Sequence, residues 1–153
     1  MTSLEPGHLW VMRIHAVGLG VAAMIPAFAL GPFLNEEFGV PAVLPALVMA
    51  LLLVWPVIIG PSRRFAAWGY DEAADALEVA HGVWTQVATV VPYGRVQHID
   101  VSQGALERAF GVARLVLHTA GTAHGEVVLP GLTRERAEAM RERIRAHIRQ
   151  EAE

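Results

Sequence analysis

The stretch FGVPAVLPALVMALLLVWPVIIG, Phe38 to Gly60, runs for 23 residues without a charged side chain. At 1.5 Å per residue a helix of that length reaches about 35 Å, enough to cross a bilayer's hydrocarbon layer with some tilt. Upstream, AVGLGVAAMIPAFALGPFL, Ala16 to Leu34, is also free of charge and spans roughly 28 Å as a helix. Asn35, Glu36 and Glu37 separate the two stretches. So short a link predicts a tight antiparallel pair of membrane helices at about 14–34 and 38–60. The domain boundary then falls between residues 1–64 and 65–153.

Arg13 precedes the first stretch, Arg63 and Arg64 follow the second, and the link carries only acids. Excess arginine on the cytoplasmic side predicts a multi-pass cell-membrane protein with both termini in the cytoplasm and Glu36–Glu37 outside. A cleaved signal peptide with Ala27-Phe28-Ala29 as its cleavage box fits less well, because no polar mature segment follows it. Pro26, Pro32, Pro41, Pro45 and Pro56 interrupt the two stretches. Membrane helices tolerate proline where neighbours satisfy the freed carbonyls, and no ionisable group lies within Ala16–Leu34 or Phe38–Gly60 to line a transport path. His15 at the edge of the first stretch has no histidine in the second to share a haem with.

The other bulk features narrow the function. The chain of 153 residues is 54% hydrophobic, with a mean hydropathy of +0.39. It has no cysteine, which excludes disulfides, thiolate nucleophiles and cysteine-ligated metals. All 12 basic residues are arginine, and the net charge of −3 resides wholly in residues 65–153. An acidic soluble part argues against nucleic-acid binding.

From Phe65 the pattern alternates with period two, punctuated by turn residues. Strands are expected at Asp75–His81, Trp84–Val91, Arg95–Ser102, Val112–Thr119 and Glu126–Leu129, the last stopped by Pro130-Gly131. Leu77, Val79, Ile99, Val101, Leu115 and Leu117 are assigned inward. GALERAFG, Gly104 to Gly111, reads as a single helical turn bounded by glycines. Ala120–His124 reads as a loop. Thr133 is a good N-cap for a final helix in which Ala137, Met140, Ile144 and Ile148 form one stripe.

The runs VVPYGRVQHIDVSQGALERAFGVARLVLHTAG, Val90 to Gly121, and GEVVLPGLTRERAEAMRERI, Gly125 to Ile144, closely resemble the bacterial pleckstrin-homology-like family of YdbS-type membrane proteins. The resemblance implies an α+β chain: a two-helix transmembrane hairpin, then a pleckstrin-homology-like bent antiparallel β-barrel with a C-terminal capping helix. It implies no chemistry. The turn that lipid-binding eukaryotic members make basic corresponds here to Ala80-His81-Gly82-Val83, which has no arginine.

No catalytic motif, metal set or cofactor motif is found. Ser102, His98 and Asp100 alternate on one strand face, but residues two apart on a strand lie about 7 Å from each other. His98, Asp100 and His118 would share an outer face if their strands pair, with Arg114 neutralising Asp100 across the ladder. The flat polar face of Gln97, His98, Asp100, Ser102 and Gln103, with Arg114 and His118, is the expected interaction surface. Arg63, Arg64, Arg141, Arg145 and Arg149 are candidate lipid-headgroup contacts. These readings converge on a non-enzymatic, membrane-tethered interaction module without cofactor. Its partners would be the bilayer and a second copy or another membrane protein. The alternatives are small-ligand or metal binding on the polar strand face, or lipid-surface binding.

Overall fold

The computed structural model describes residues 1–120 and 125–151. The expected loop at Ala120–His124 lies, beyond Ala120, outside the described residues. The elements are α1 (Pro6–Phe38), α2 (Leu44–Val54), a π-helical turn (Trp55–Ile59), α3 (Gly60–Ala66), β1 (Gly69–Glu72), β2 (Ala76–His81), β3 (Val87–Pro92), β4 (Val96–Ser102), α4 (Ala105–Ala109), β5 (Val112–Thr119), β6 (Glu126–Thr133) and α5 (Arg134–Glu151). They divide into two compact units, Met12–Arg63 and a globular unit of Met1–Val11 with Arg64–Glu153. The first eleven residues are thus grouped with the globular part.

In the apolar unit the helices are longer than expected, and the turn lies further on. Pro6–Phe38 is one helix of 33 residues, and Leu44–Ala66 is a continuous helical run of 23. Asn35-Glu36-Glu37 forms the last turn of α1 because nothing there breaks a helix. Gly39 does, at φ +65°, and its N–H donates to the Asn35 carbonyl at 3.0 Å, a left-handed helix cap. Pro45 stands in the first turn of α2, where its missing N–H costs nothing. Pro56 falls in the π-helical turn, which closes with the Gly60 N–H donating to the Trp55 carbonyl.

Small residues bring the helices of this unit together. A Cβ on Gly31 would collide with the Ala42 carbonyl, and one on Gly20 would press on Val57. Ala27 and Ala46 are buried. Such contacts suit helix association where no hydrophobic driving force acts between helices. Arg13 donates to the Ser62 hydroxyl at 3.2 Å. Only 17% and 11% of the most apolar windows of the two helices are buried, which separates them from core helices of a soluble domain.

In the globular unit the described residues form two three-stranded antiparallel sheets, β1-β2-β3 and β4-β5-β6. Among the described residues no ladder joins β3 or β6 to the other sheet, so the expected bent barrel is present as two separate sheets. A seam of about 540 Å³ is left, lined by Val79, Val87, Val91, Arg95, Glu126 and Val128 among others. Both sheets share one core with α5: Leu77, Val79 and Val91 meet Leu115, Leu117, Leu129, Ala137, Met140 and Ile144. Burying each of the large side chains contributes about 1.5–3 kcal/mol. The inward assignments of Leu77, Val79, Leu115 and Leu117 hold, and Ile99 and Val101 pack against the same core partly buried. Thr133 caps α5, accepting from the Arg136 N–H at 3.1 Å. Arg143 clasps Glu72 of β1 through two hydrogen bonds of 2.7 and 2.8 Å. Burial pushes the Tyr93 phenol up to about 12, with Glu72 adding to the shift and Arg143 opposing it.

Strand β1 carries too short an alternation to be recognised alone, and it pairs on one side with Thr2. Strand β6 passes through Pro130-Gly131 instead of stopping there. Ala113 faces Leu132 and Leu115 faces Leu129, so Pro130 and Gly131 together oppose Arg114. This is a β-bulge with glycine in the left-handed region, Gly131 having φ +67°. The bulge frees the Gly131 carbonyl to accept the Glu5 N–H at 2.8 Å. A Cβ on Gly131 would also press on Leu4 and His8. With Leu4 in the core and Thr2 and Tyr70 exchanging hydrogen bonds of 2.6 and 3.0 Å, residues 1–11 form a strap across the globular unit. Replacing Gly131 by alanine should therefore cost about 2 kcal/mol or more, through the left-handed backbone and the displaced strap. Denaturant unfolding of the detergent-solubilised protein, with limited proteolysis of the N-terminus, measures it. An unchanged midpoint with a protected N-terminus contradicts this account.

Candidate functional site

Strands β4 and β5 pair antiparallel, with His98 opposite His118, Asp100 opposite Val116 and Ser102 opposite Arg114. Alternation therefore carries His98, Asp100 and His118 to one outer face, as expected. Asp100 sits between the two imidazoles: its carboxylate is 2.9 Å from His98 Nε2 and 3.4 Å from His118 Nε2. The imidazole rings lie 5.8 Å apart. The 2.9 Å contact corrects the estimate that residues two apart on this strand are too distant to bond. That spacing describes the backbone, whereas the long imidazole leans along the strand to reach its neighbour. Asp100 thus faces two histidines and its oxygens turn toward them. Among the described residues no group of three His, Cys, Asp or Glu side chains is arranged to hold a metal ion.

Arg114 does not neutralise Asp100. It pairs with Glu107 of α4, Nε to Oε1 at 2.9 Å and a second guanidinium nitrogen at 2.7 Å. Glu107 is 3% exposed, and its other oxygen accepts the Gly104 N–H at 2.6 Å. A buried carboxylate needs such partners, and Glu107 takes the nearest guanidinium. Sequence reasoning passed over Glu107. The available signal was its place three residues after Gly104, from which a side chain reaches back to cap the turn. Gln103 is also structural, donating to the Val112 carbonyl at 2.8 Å. Gln97, His98, Asp100 and Ser102 are exposed on β4, which is one of the two edge strands of its sheet.

The candidate headgroup arginines separate. Arg63 places its guanidinium 5.3 Å from the Trp55 ring centroid, and Arg64 is exposed. Arg141, Arg145 and Arg149 line a groove of about 430 Å³ with Gln97 and His98. Glu142 draws on two of them, at 3.1 Å from Arg141 and 3.5 Å from Arg145.

Substituting Arg114 by leucine should destabilise the globular unit by about 2 kcal/mol or more, because it strips a buried carboxylate of its counter-charge. Alanine at His118 should cost less than about 1 kcal/mol, since that side chain is half-exposed. Thermal unfolding of the two variants checks the order, and the reverse order would contradict these roles for the two residues.

The comparisons with known proteins agree with this architecture. Residues 16–148 match the family model described as the bacterial PH domain. The chain is 28% identical over 144 residues to the transmembrane protein YdbS of Bacillus subtilis (strain 168), covering 92% of this chain and 88% of that one. No solved structure matches. The match takes in the apolar helices together with both sheets and α5, and the relative is a transmembrane protein. This chain is accordingly a membrane protein, and it belongs to the bacterial PH domain family.

Proposed function

We propose that the chain is a membrane-anchored, non-enzymatic interaction module. Its apolar helices cross the bilayer as a hairpin with both termini cytoplasmic. Its bacterial PH domain, an open version of the bent barrel with α5 over one end, meets a second copy or another membrane protein there. The observation that carries this reading is the strap. The chain leaves the globular unit at Val11 and is back in it at Arg64. An excursion that starts and ends in one folded unit must cross the membrane an even number of times. The arginines at its two ends, Arg13 with Arg63 and Arg64, support a cytoplasmic position for that unit.

Edge strand β4 offers the contact surface, with exposed Gln97, His98, Asp100 and Ser102 beside unpaired backbone groups that a partner strand could meet. Asp100, shared between His98 and His118, keeps that face ordered. A second reading, lipid-headgroup contact, draws support from the groove that gathers Arg141, Arg145 and Arg149 beside Gln97. Three guanidinium groups, offset by the one carboxylate of Glu142, suit phosphate.

A photo-crosslinking residue at Gln97, in the full chain in native membranes, tests both, with exposed Arg108 as the control position. Protein adducts from position 97 that exceed those from 108 are the expected result. Lipid adducts alone from position 97 would replace the proposal with the second reading, and no difference between the positions would contradict both.

A further inference from the structure

The hairpin joining β2 to β3 carries the most exposed large hydrophobic side chain of the described residues. Trp84 is 88% exposed, and Val83 next to it and Val87 at the start of β3 are exposed as well. From Val79 to Gly94 the chain has no Asp, Glu, Lys or Arg, whereas a turn that faces water is normally polar. The turn is built, not slack. Gly82 has φ +111°, and a Cβ there would run into the Thr85 carbonyl. This tight bend holds Val83 and Trp84 away from the domain.

The root of the hairpin lies beside the point where the chain leaves its second apolar helix. His81 stacks on Trp68 with ring centroids 4.7 Å apart, and Trp68 is two residues beyond Ala66, the last residue of α3. A groove of about 680 Å³ brings Met1, Ala66 and Trp68 against His81, Gln86 and Val87. Trp84 is three residues from His81, within about 10 Å along an extended chain. An uncharged tip that presents tryptophan next to the exit of a membrane helix matches the chemistry of the bilayer interface. There an indole buries its rings and keeps its N–H in the wet layer.

We infer that the β2–β3 tip is a further membrane contact of this chain, with Trp84 and Val83 inserted into the interfacial layer of the phospholipid. The inference rests on the helices being membrane-spanning. It needs no anionic lipid, because the tip bears no cation, and so differs in kind from headgroup contact by the arginines of α5. Two tethers, the helices and the tip, would fix the tilt of the domain over the membrane and hence the direction in which β4 faces a partner.

The test uses the full chain in phosphatidylcholine nanodiscs with Trp10, Trp55 and Trp68 changed to phenylalanine, so that Trp84 alone emits. Insertion predicts blue-shifted emission, quenching by lipid brominated near its carbonyl end, and protection from aqueous iodide. Emission typical of water, quenched by iodide and indifferent to brominated lipid, would overturn the inference. So would a blue shift without lipid quenching, which signals a protein partner at the tip. A companion protein that keeps only Trp55 must be quenched by brominated lipid if the helices span, so failure of the anchor and failure of the tip are told apart. Because Trp68→Phe alters a stacked pair, a single Val83→Cys variant carrying a nitroxide label gives an independent reading. Faster collision with oxygen than with an aqueous nickel complex is expected, and the opposite would overturn the inference.

Discussion

Eleven residues at the N-terminus decide what the rest of the chain can do. Thr2 pairs with Tyr70, Leu4 enters the core, and the Glu5 N–H reaches the Gly131 carbonyl. Each contact is small alone: a hydrogen bond contributes about 1 kcal/mol net, and one buried leucine about 2. Together they hold both ends of a 52-residue apolar excursion, Met12–Arg63, in one folded unit. On the proposed reading, whatever binds the domain acts on a body joined to its anchor at two points.

The strap has a docking place because the second sheet is irregular there. Were β6 regular through Pro130-Gly131, the Gly131 carbonyl would belong to the ladder with β5. The bulge turns it outward, and the absence of a side chain at Gly131 lets Leu4 and His8 approach. Arg114 stands opposite the same bulge and reaches Glu107, so α4 and the bulge are stabilised on the two sides of one strand. Helix α5 then closes the core with Ala137, Met140 and Ile144 and ties to the first sheet through Arg143 and Glu72. The polar face of β4 lies outside this scaffold. Asp100 lies between two histidines on it, and on the proposed reading this is the face that meets a partner.

Much of this was legible in the sequence where a periodicity had room to declare itself. The uncharged runs identified the apolar helices, and alternation through Leu115 and Leu117 fixed which face of β5 is inside. The stripe Ala137, Met140 and Ile144 identified the buried face of α5. What sequence reading missed depended on distant partners. The strap has no pattern of its own, since Thr2 and Leu4 find their places only once β1 and β6 exist. The helix end was placed at Asn35-Glu36-Glu37 because charge was weighed above the conformational demand that Gly39 meets. Pro130-Gly131 was read as a stop because a turn and a bulge use the same residues. Arg114 was assigned to Asp100 across the ladder, but its register partner is Ser102 and the stronger need was that of the buried Glu107. In the site, the face of His98, Asp100 and His118 was foreseen from register alone, but the direct contact between His98 and Asp100 was not.

The central claim is that the N-terminal strap and the PH domain lie on one side of the membrane and the turn after α1 on the other. The chain has no cysteine, so single cysteines can be read without background. Ser3→Cys, Glu36→Cys and Ser102→Cys, each in the full chain in intact cells, are exposed to a membrane-impermeant maleimide before and after permeabilisation. The account predicts labelling at position 36 in intact cells, and at positions 3 and 102 only once the membrane is opened. Labelling of position 3 and position 102 from opposite sides, or of all three from the same side, would contradict it.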